Sequence, residues 1–345
     1  MKSPKSTLAL ALLAACSGGG GNSGGSGSVV TPPVATPAPT PSPSPSPSPA
    51  PSPTPSATPT PTPTATPATY ATIPQIYTDR FGSGGVTLMS ACAGLAFAGP
   101  LPAPLPVTSF GQGLAFRFIV TPGVWSVTGV GGYDGRDGDP FAAMFPDPLP
   151  AAVEVAYSRQ AGPDPVRFSI TRPSAGGTDL SYARLGLTWT PLNGARSQTH
   201  CALGVPTLPA DLAATPAAAF ARAVVIATAH LREGTGSRAY ALTRSTATIA
   251  ADVAGRRVTV ALRLVGTPAG GADVDLGSFT ATAPVDPATG DFTAPLAGDR
   301  AVTGTLSGRL FGPAGVEVGF AFGAALPAAG ARPEATIAGA AFGVR

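Results

Sequence analysis

The sequence predicts an all-β protein: an eight-stranded up-and-down β-barrel at the C-terminal end, a β-rich region before it, and a disordered proline-rich tether before that. Three observations predict it. From Tyr70 onward apolar residues mostly alternate with polar or small ones, the period-two pattern of a half-buried strand. Turn residues return about every ten positions along the same stretch, which is a meander's spacing. Proline is concentrated elsewhere: 16 of the 41 prolines lie between Pro32 and Pro67.

The N-terminal segment reads as an address. Lys2 and Lys5 precede an apolar run from Thr7 to Leu13, and Leu13-Ala14-Ala15-Cys16 closes it. That order is a secretory signal over residues 1–15, too short to remain across a bilayer. The cysteine after Leu-Ala-Ala resembles a bacterial lipoprotein signal, which implies an acylated Cys16 at the mature N-terminus. An ordinary signal with a chance cysteine is the alternative. Ser17 follows where an inner-membrane retention signal would carry Asp, so the outer membrane is the expected destination. More than one acyl chain gives stable anchoring.

Residues 16–69 are the expected lipid anchor and linker. Ser17–Ser28 is rich in Gly and Ser and predicts flexible coil. Val29–Thr69 alternates Pro with Ser or Thr and carries no charge, which favours extended polyproline II. Such a segment reaches on the order of 100 Å. The G-x-S-x-G match at Gly21–Gly25 falls in the coil, with no strand-turn-helix around it, and is not a hydrolase elbow.

Residues 70–215 form the irregular β-rich region. Leu114–Val120, Val153–Ser158, Val166–Thr171 and Leu185–Thr190 read as strands among Pro/Gly-rich loops. Prolines between Pro206 and Pro216 mark a boundary, and residues 216–345 carry the barrel pattern. Strands are expected near 218–231, 239–253, 256–265, 275–283, 291–296, 302–311, 315–323 and 335–342. Val258, Val260, Leu262 and Leu264 alternate with Arg257, Thr259, Ala261 and Arg263; Val318, Phe320 and Phe322 alternate with Glu317, Gly319, Ala321 and Gly323. Closing such a meander removes its exposed edges. The small residues of one face suit a tightly packed interior or tight bends.

Composition excludes several functions. Hydrophobic residues make up 43% of the 345, too many for a wholly disordered chain despite 44 Gly. Beyond Lys2 and Lys5 there are 19 Arg against 18 acidic residues, a net charge of +1, and no basic stripe for a nucleic acid. With Cys16 acylated, Cys92 and Cys201 remain. In an oxidising compartment such a pair is most simply a disulfide; two free buried thiols are the alternative.

The chain has two histidines, His200 and His230, and no H-E-x-x-H or C-x-x-C. Haem ligation by either is weighed against a satisfied or solvent-facing histidine, and the latter is expected. Asp134, Asp137 and Asp139 offer oxygens for Ca²⁺ but lack EF-hand spacing and read as a polar loop. Tyr133, Phe141, Phe145 and Trp125 are candidate loop anchors, with a core place expected for Trp125 between Val124 and Val127. No nucleophile–base–acid set, metal site or cofactor motif is present, so no enzyme and no cofactor is expected.

The run Gly304-Thr305-Leu306-Ser307-Gly308-Arg309-Leu310-Phe311-Gly312-Pro313-Ala314-Gly315-Val316-Glu317-Val318-Gly319-Phe320-Ala321-Phe322 resembles a segment of the transferrin-binding protein B-like surface lipoproteins. Gly204-Val205-Pro206-Thr207, Ser245–Ile249 and Ala341-Phe342-Gly343-Val344-Arg345 are similar to other pieces of that family's barrel, and Leu180–Leu185 to its handle region. The resemblance implies a handle domain over 70–215 and a side-chain-filled barrel over 216–345, tethered to the outer membrane. Classical members have two such lobes and capture iron-loaded transferrin for a membrane transporter; this chain has room for one after its linker. Gly312, Pro313, Gly315, Glu317 and Gly319 are read as a structural turn that keeps its hairpin closed, with Glu317 meeting an arginine such as Arg309.

The function expected is therefore a ligand-capture lipoprotein of the bacterial surface, for an iron-bearing protein, haem or another solute. A structural or adhesive lipoprotein is the alternative. A membrane-spanning barrel would make the anchor and tether redundant.

Overall fold

Alternating side chains turn a chain into paired strands when one face of each can reach a common core. The computed structural model describes residues 70–78, 86–119, 124–129, 142–143, 153–161, 164–192 and 195–345. The signal segment, Cys16 and the tether lie outside the described residues. So do Tyr133, Asp134, Asp137, Asp139, Phe141, Phe145 and the side chain of Trp125.

The first sheet has seven strands: β1 (Ser90–Phe97), β2 (Ala103–Leu105), β3 (Ala142–Ala143), β4 (Val153–Ala161), β5 (Asp164–Thr171), β6 (Ala183–Leu192) and β7 (Ala195–Gly204). They lie in the order β2-β1-β7-β6-β5-β4-β3. Its two faces have separate cores. One holds Leu88, Cys92, Phe116, Phe168, Cys201 and Ile73, the last from the short helix α1 (Ile73–Thr78). On that face Cys92 of β1 and Cys201 of β7 are directly paired, with Cα atoms 4.1 Å apart and sulfurs 2.09 Å apart in a disulfide. The bridge closes a sequence separation of 109 residues and is almost wholly buried.

The C-terminal strands are β8 (Arg222–Glu233), β9 (Gly236–Ala241), β10 (Thr246–Asp252), β11 (Arg257–Gly266), β12 (Val274–Pro284), β13 (Asp291–Pro295), β14 (Thr303–Phe311), β15 (Glu317–Leu326) and β16 (Ala335–Val344). β9 and β10 together make the run expected over 239–253, broken at Leu242–Ser245. They form two antiparallel sheets, one in the order β9-β8-β16-β15-β14-β13 and one that contains β10-β11-β12, and Ala218–Phe220, just before β8, pairs with Ile249–Ala251 of β10. The link between β12 and β13 is made by the bridge Val285↔Phe292, while Phe279 and Thr280 of β12 also pair with Gly298 and Ala297. The last strand then returns to the first: ten residue pairs join β16 to β8, from Arg222↔Val344 to Leu231↔Ala335. The two sheets meet through the β9–β10 run, the isolated bridges Ala241↔Thr267 and Val285↔Phe292, and the pairs at Phe279 and Thr280, which shield part of their edges. Side chains fill the interior, among them Phe279, Phe292, Phe320, Phe322 and Leu276.

The two walls of this ring differ. On β11 burial alternates as the sequence predicts, with Val258, Val260, Leu262 and Leu264 inside and Arg257, Thr259, Ala261 and Arg263 exposed. On β16 every residue is buried, and on β15 all but one. The outward residues of these strands, including Ala321, Ala338, Ala340 and Phe342, share a core with Ala91, Ala93, Leu95, Leu185 and Ala202 of the seven-stranded sheet. Small residues do fill the interior, Ala324, Ala335 and Ala341 among them. One expectation is corrected: Glu317, Gly319, Ala321 and Gly323 do not face solvent. The outward small residues, with Ala338 and Ala340, are the surface on which a second sheet rests. A Cβ on Gly319 would stand 2.9 Å from the Phe342 ring and 3.0 Å from that of Phe311, so only glycine permits the approach.

Candidate functional site

The motif residues build a clasp between the two sheets. After β14 the chain turns through Gly312-Pro313-Ala314-Gly315. Gly312 has φ +71° and Gly315 φ +62°, and a Cβ on Gly312 would collide with the Tyr182 ring. Pro313 starts the 3₁₀ turn Pro313–Gly315, where its missing N–H costs nothing. The turn delivers Glu317 to the segment before β6. Its Oε1 accepts the Ser181 N–H at 2.6 Å, and its Oε2 accepts those of Tyr182 and Ala183 at 2.9 and 2.8 Å. The residue is 3% exposed.

Burial pushes the Glu317 carboxyl above its usual range, against the pull of those three donors and of Arg184. Arg184 is wholly buried beside it; its Nε donates to Glu154 at 2.7 Å and one terminal nitrogen to the carbonyls of Leu180 and Ala183. Gly312 N–H donates to the Val205 carbonyl at 3.0 Å, and Thr207 Oγ1 to the Gly312 carbonyl at 2.8 Å. Three segments that carry the family resemblance, 180–185, 204–207 and 312–317, therefore meet here.

The expected partner of Glu317 is not Arg309. That guanidinium lies 3.4 Å from Asp291 and 5.0 Å from the centre of the Phe110 ring. Glu317 pairs with Phe311 and Arg309 with Gly319, so Arg309 sits two residues too far along β14. The carboxylate ties barrel to sheet; it does not close its own hairpin.

A cleft of about 550 Å³ opens at the other end of the same inter-sheet contact. Trp189 and Gln198, directly paired on β6 and β7, form its wall on the seven-stranded sheet. Thr228 and His230 of β8 face them, because the odd residues of β8 point into the barrel and the even ones outward. Ala239, Tyr240 and Ala241 of β9 and Thr267-Pro268-Ala269 after β11 complete the rim. Phe97, at the end of β1, braces both walls: its ring stacks on Trp189 with centroids 5.7 Å apart and meets His230 edge-on at 5.1 Å. Among the large hydrophobic residues exposed in the described region, Trp189 is the one aromatic, 37% accessible.

The cleft mixes apolar walls with neutral polar groups, and charge stands only at its rim, where Arg238 donates to the Ala269 carbonyl and the Tyr240 hydroxyl donates to Glu233. None of its lining residues is Asp, Glu, Lys or Arg. Desolvation lowers the His230 pKa, so the imidazole is neutral near pH 7 and offers one donor and one acceptor. Thr267 Oγ1 is buried without a hydrogen-bond partner. His200 is a separate case: 3% exposed, its Nδ1 unpartnered, and its pKa lowered to about 4 by desolvation. It is buried rather than solvent-facing, with one ring nitrogen unpartnered.

Among the described residues no group of three or more His, Cys, Asp and Glu is placed to hold a metal ion. No described helix is long and apolar enough to cross a membrane. Trp189 and Phe97 were not singled out in the sequence, where each reads as one more apolar strand residue. The signal available was a tryptophan at the far end of a strand whose other inward residues are small or aliphatic.

The chain is similar to transferrin-binding protein B. A double mutant of that protein from Haemophilus parasuis Hp5 aligns with 74% of this chain at 13% identity and TM-score 0.40. The isotype 1 protein from serogroup B Neisseria meningitidis aligns with 74% at 15% identity and TM-score 0.38. The intact two-lobed Ap-TbpB aligns with 63% at 13% identity and TM-score 0.37. The matches cover 44%, 44% and 43% of those chains, less than half of each. No family model and no curated relative matches the chain.

Proposed function

We propose that this protein is a ligand-capture module of the bacterial cell surface, a lipoprotein held at the outer membrane by acylated Cys16. Its tether holds a β-rich head, a handle-like domain over 70–215 and a barrel over 216–345, away from the lipid. The head takes an iron-bearing protein, haem or another solute and passes it to a membrane transporter. Binding rather than catalysis is the task. The observation that carries the reading is the open, aromatic-walled cleft on a frame of paired strands, since convergent rigid walls with few polar groups are what a binding site requires.

The full chain, immobilised and incubated with culture medium and host serum, tests it beside a haemin titration followed by absorbance. Retention of an iron-bearing protein, or a shifted Soret band, with raised expression under iron limitation is the expected result. A head that retains nothing, leaves the haemin spectrum unchanged and ignores iron supply is a structural or adhesive lipoprotein instead.

A further inference from the structure

We propose that the cleft between Trp189 and His230 binds an uncharged, flat aromatic solute, stacked on Trp189 with its polar edge toward His230 and Thr267. The inference rests on the capture reading and deepens it by naming the chemistry of what this cleft takes.

Shape and surface come first. Trp189 presents an exposed indole already held in stacking register by Phe97, whose ring also fixes the His230 imidazole nearly perpendicular to it, at 76°. A ligand that slides against the indole meets a pre-set surface, so little ordering cost remains to be met on binding. Aromatic rings gain from stacking beyond the area they bury, which an aliphatic solute of equal size does not. The volume of about 550 Å³ accommodates two or three rings with their substituents.

Charge comes second. A charged solute entering this cleft would lose hydration and find no opposite charge among the lining residues, and the cation at the rim, Arg238, is already donating to the carbonyls of Ala269 and Gly270. His230 offers none either, because its burial holds the ring neutral near pH 7. Neutral polar edges are matched instead: the imidazole of His230, the amide of Gln198 and the hydroxyls of Thr228 and Thr267. The Thr267 hydroxyl is buried and unpartnered, and a bound polar edge would supply the bond it lacks. Thr336 stands directly across from His230 on β16, and its hydroxyl is likewise unpartnered and buried, a second unfilled polar position behind the cleft.

N-phenyl-1-naphthylamine, a neutral dye, and 8-anilinonaphthalene-1-sulfonate, the same ring frame with a charge, test this on the full chain. The neutral dye should bind one site per chain, and the sulfonate should bind at least about tenfold more weakly, because its charge is desolvated while Arg238 stays committed to the Ala269 and Gly270 carbonyls. Naphthalene should displace the dye and decalin should not. Trp189→Ala should weaken binding about tenfold or more, the range expected for losing a stacking ring. Ala239→Phe, on the exposed rim, should block the cleft without entering either core. In a Trp125→Phe background the remaining indole emission should be quenched as the dye binds. Equal affinity for both dyes, displacement by decalin, or binding unchanged by Trp189→Ala and Ala239→Phe in variants that melt like the parent would overturn the proposal. The capture reading fails differently, through the absence of retained protein, haemin and iron response, and that result leaves the dye measurements untouched.

Discussion

The barrel has one wall in water and one wall under a second sheet, and the same strand pattern means different things on each. On β11 the outward residues are Arg257, Thr259, Ala261 and Arg263, exposed and interchangeable as far as packing is concerned. On β15 the corresponding positions are Glu317, Gly319, Ala321 and Gly323, all buried. The lesson is that a run of outward glycine and alanine is the negative imprint of a partner surface. Side chains there must be small because Ala91, Ala93, Phe110 and their neighbours occupy the space. The one charged residue on β15 has its carboxylate oxygens met by three backbone donors.

Four tests break or sharpen this contrast, from the largest expected effect to the smallest. Glu317→Ala leaves the N–H groups of Ser181, Tyr182 and Ala183 without their acceptor. Unpaired buried donors cost about 1–3 kcal/mol each, so a loss of about 4 kcal/mol or more is expected in urea unfolding. Hydrogen exchange should accelerate along β15 and β16 while β11 keeps its protection.

Replacing Cys92 and Cys201 by Ala releases the bridge that pins β1 to β7 in the seven-stranded sheet. Closing a loop of this length contributes about 4 kcal/mol through the entropy of the unfolded chain. If the docked wall depends on that sheet, the doubly substituted protein should expose β15 to exchange under conditions where the parent does not.

Acid offers a third probe, through His200. Its folded pKa of about 4 lies below the unfolded value near 6.5, so the unfolded chain binds the extra proton and acid favours unfolding. The stability is complete above pH 6.5 and falls by about 3 kcal/mol by pH 4, at 1.36 kcal/mol per pKa unit. Unfolding measured across this window in the parent and in His200→Gln should show the parent's steeper acid loss. Parallel curves would mean that His200 is not buried uncharged.

The smallest effect is the most direct test of the two walls. Ala321→Leu adds a side chain to the sheet contact and should cost about 2 kcal/mol through overpacking. Ala261→Leu makes the same change on the exposed wall and should cost less than about 0.5 kcal/mol. Equal costs would erase the distinction.

Much of the strand order was legible because it is local. The alternation from Arg257 to Leu264 specifies one inward face whatever that face meets, and the turn glycines stand where φ must be positive. The partner of Glu317 was not legible, because the motif offers an arginine eight residues away and no hint of backbone donors more than 130 residues upstream. The cleft was hidden for the same reason. Phe97, Trp189 and His230 come from three distant strands, and nothing in any one of them announces the other two.

Local chemistry alone settled that this chain makes β-structure, where it turns, and which residues could fill a barrel, because φ/ψ preference and side-chain period act over a few residues. Which outward face would be covered, what Glu317 would hold, and that three separated rings would enclose a space were decided only by packing. Those outcomes depend on surfaces brought together across the whole chain, and sequence spacing does not encode distance in space.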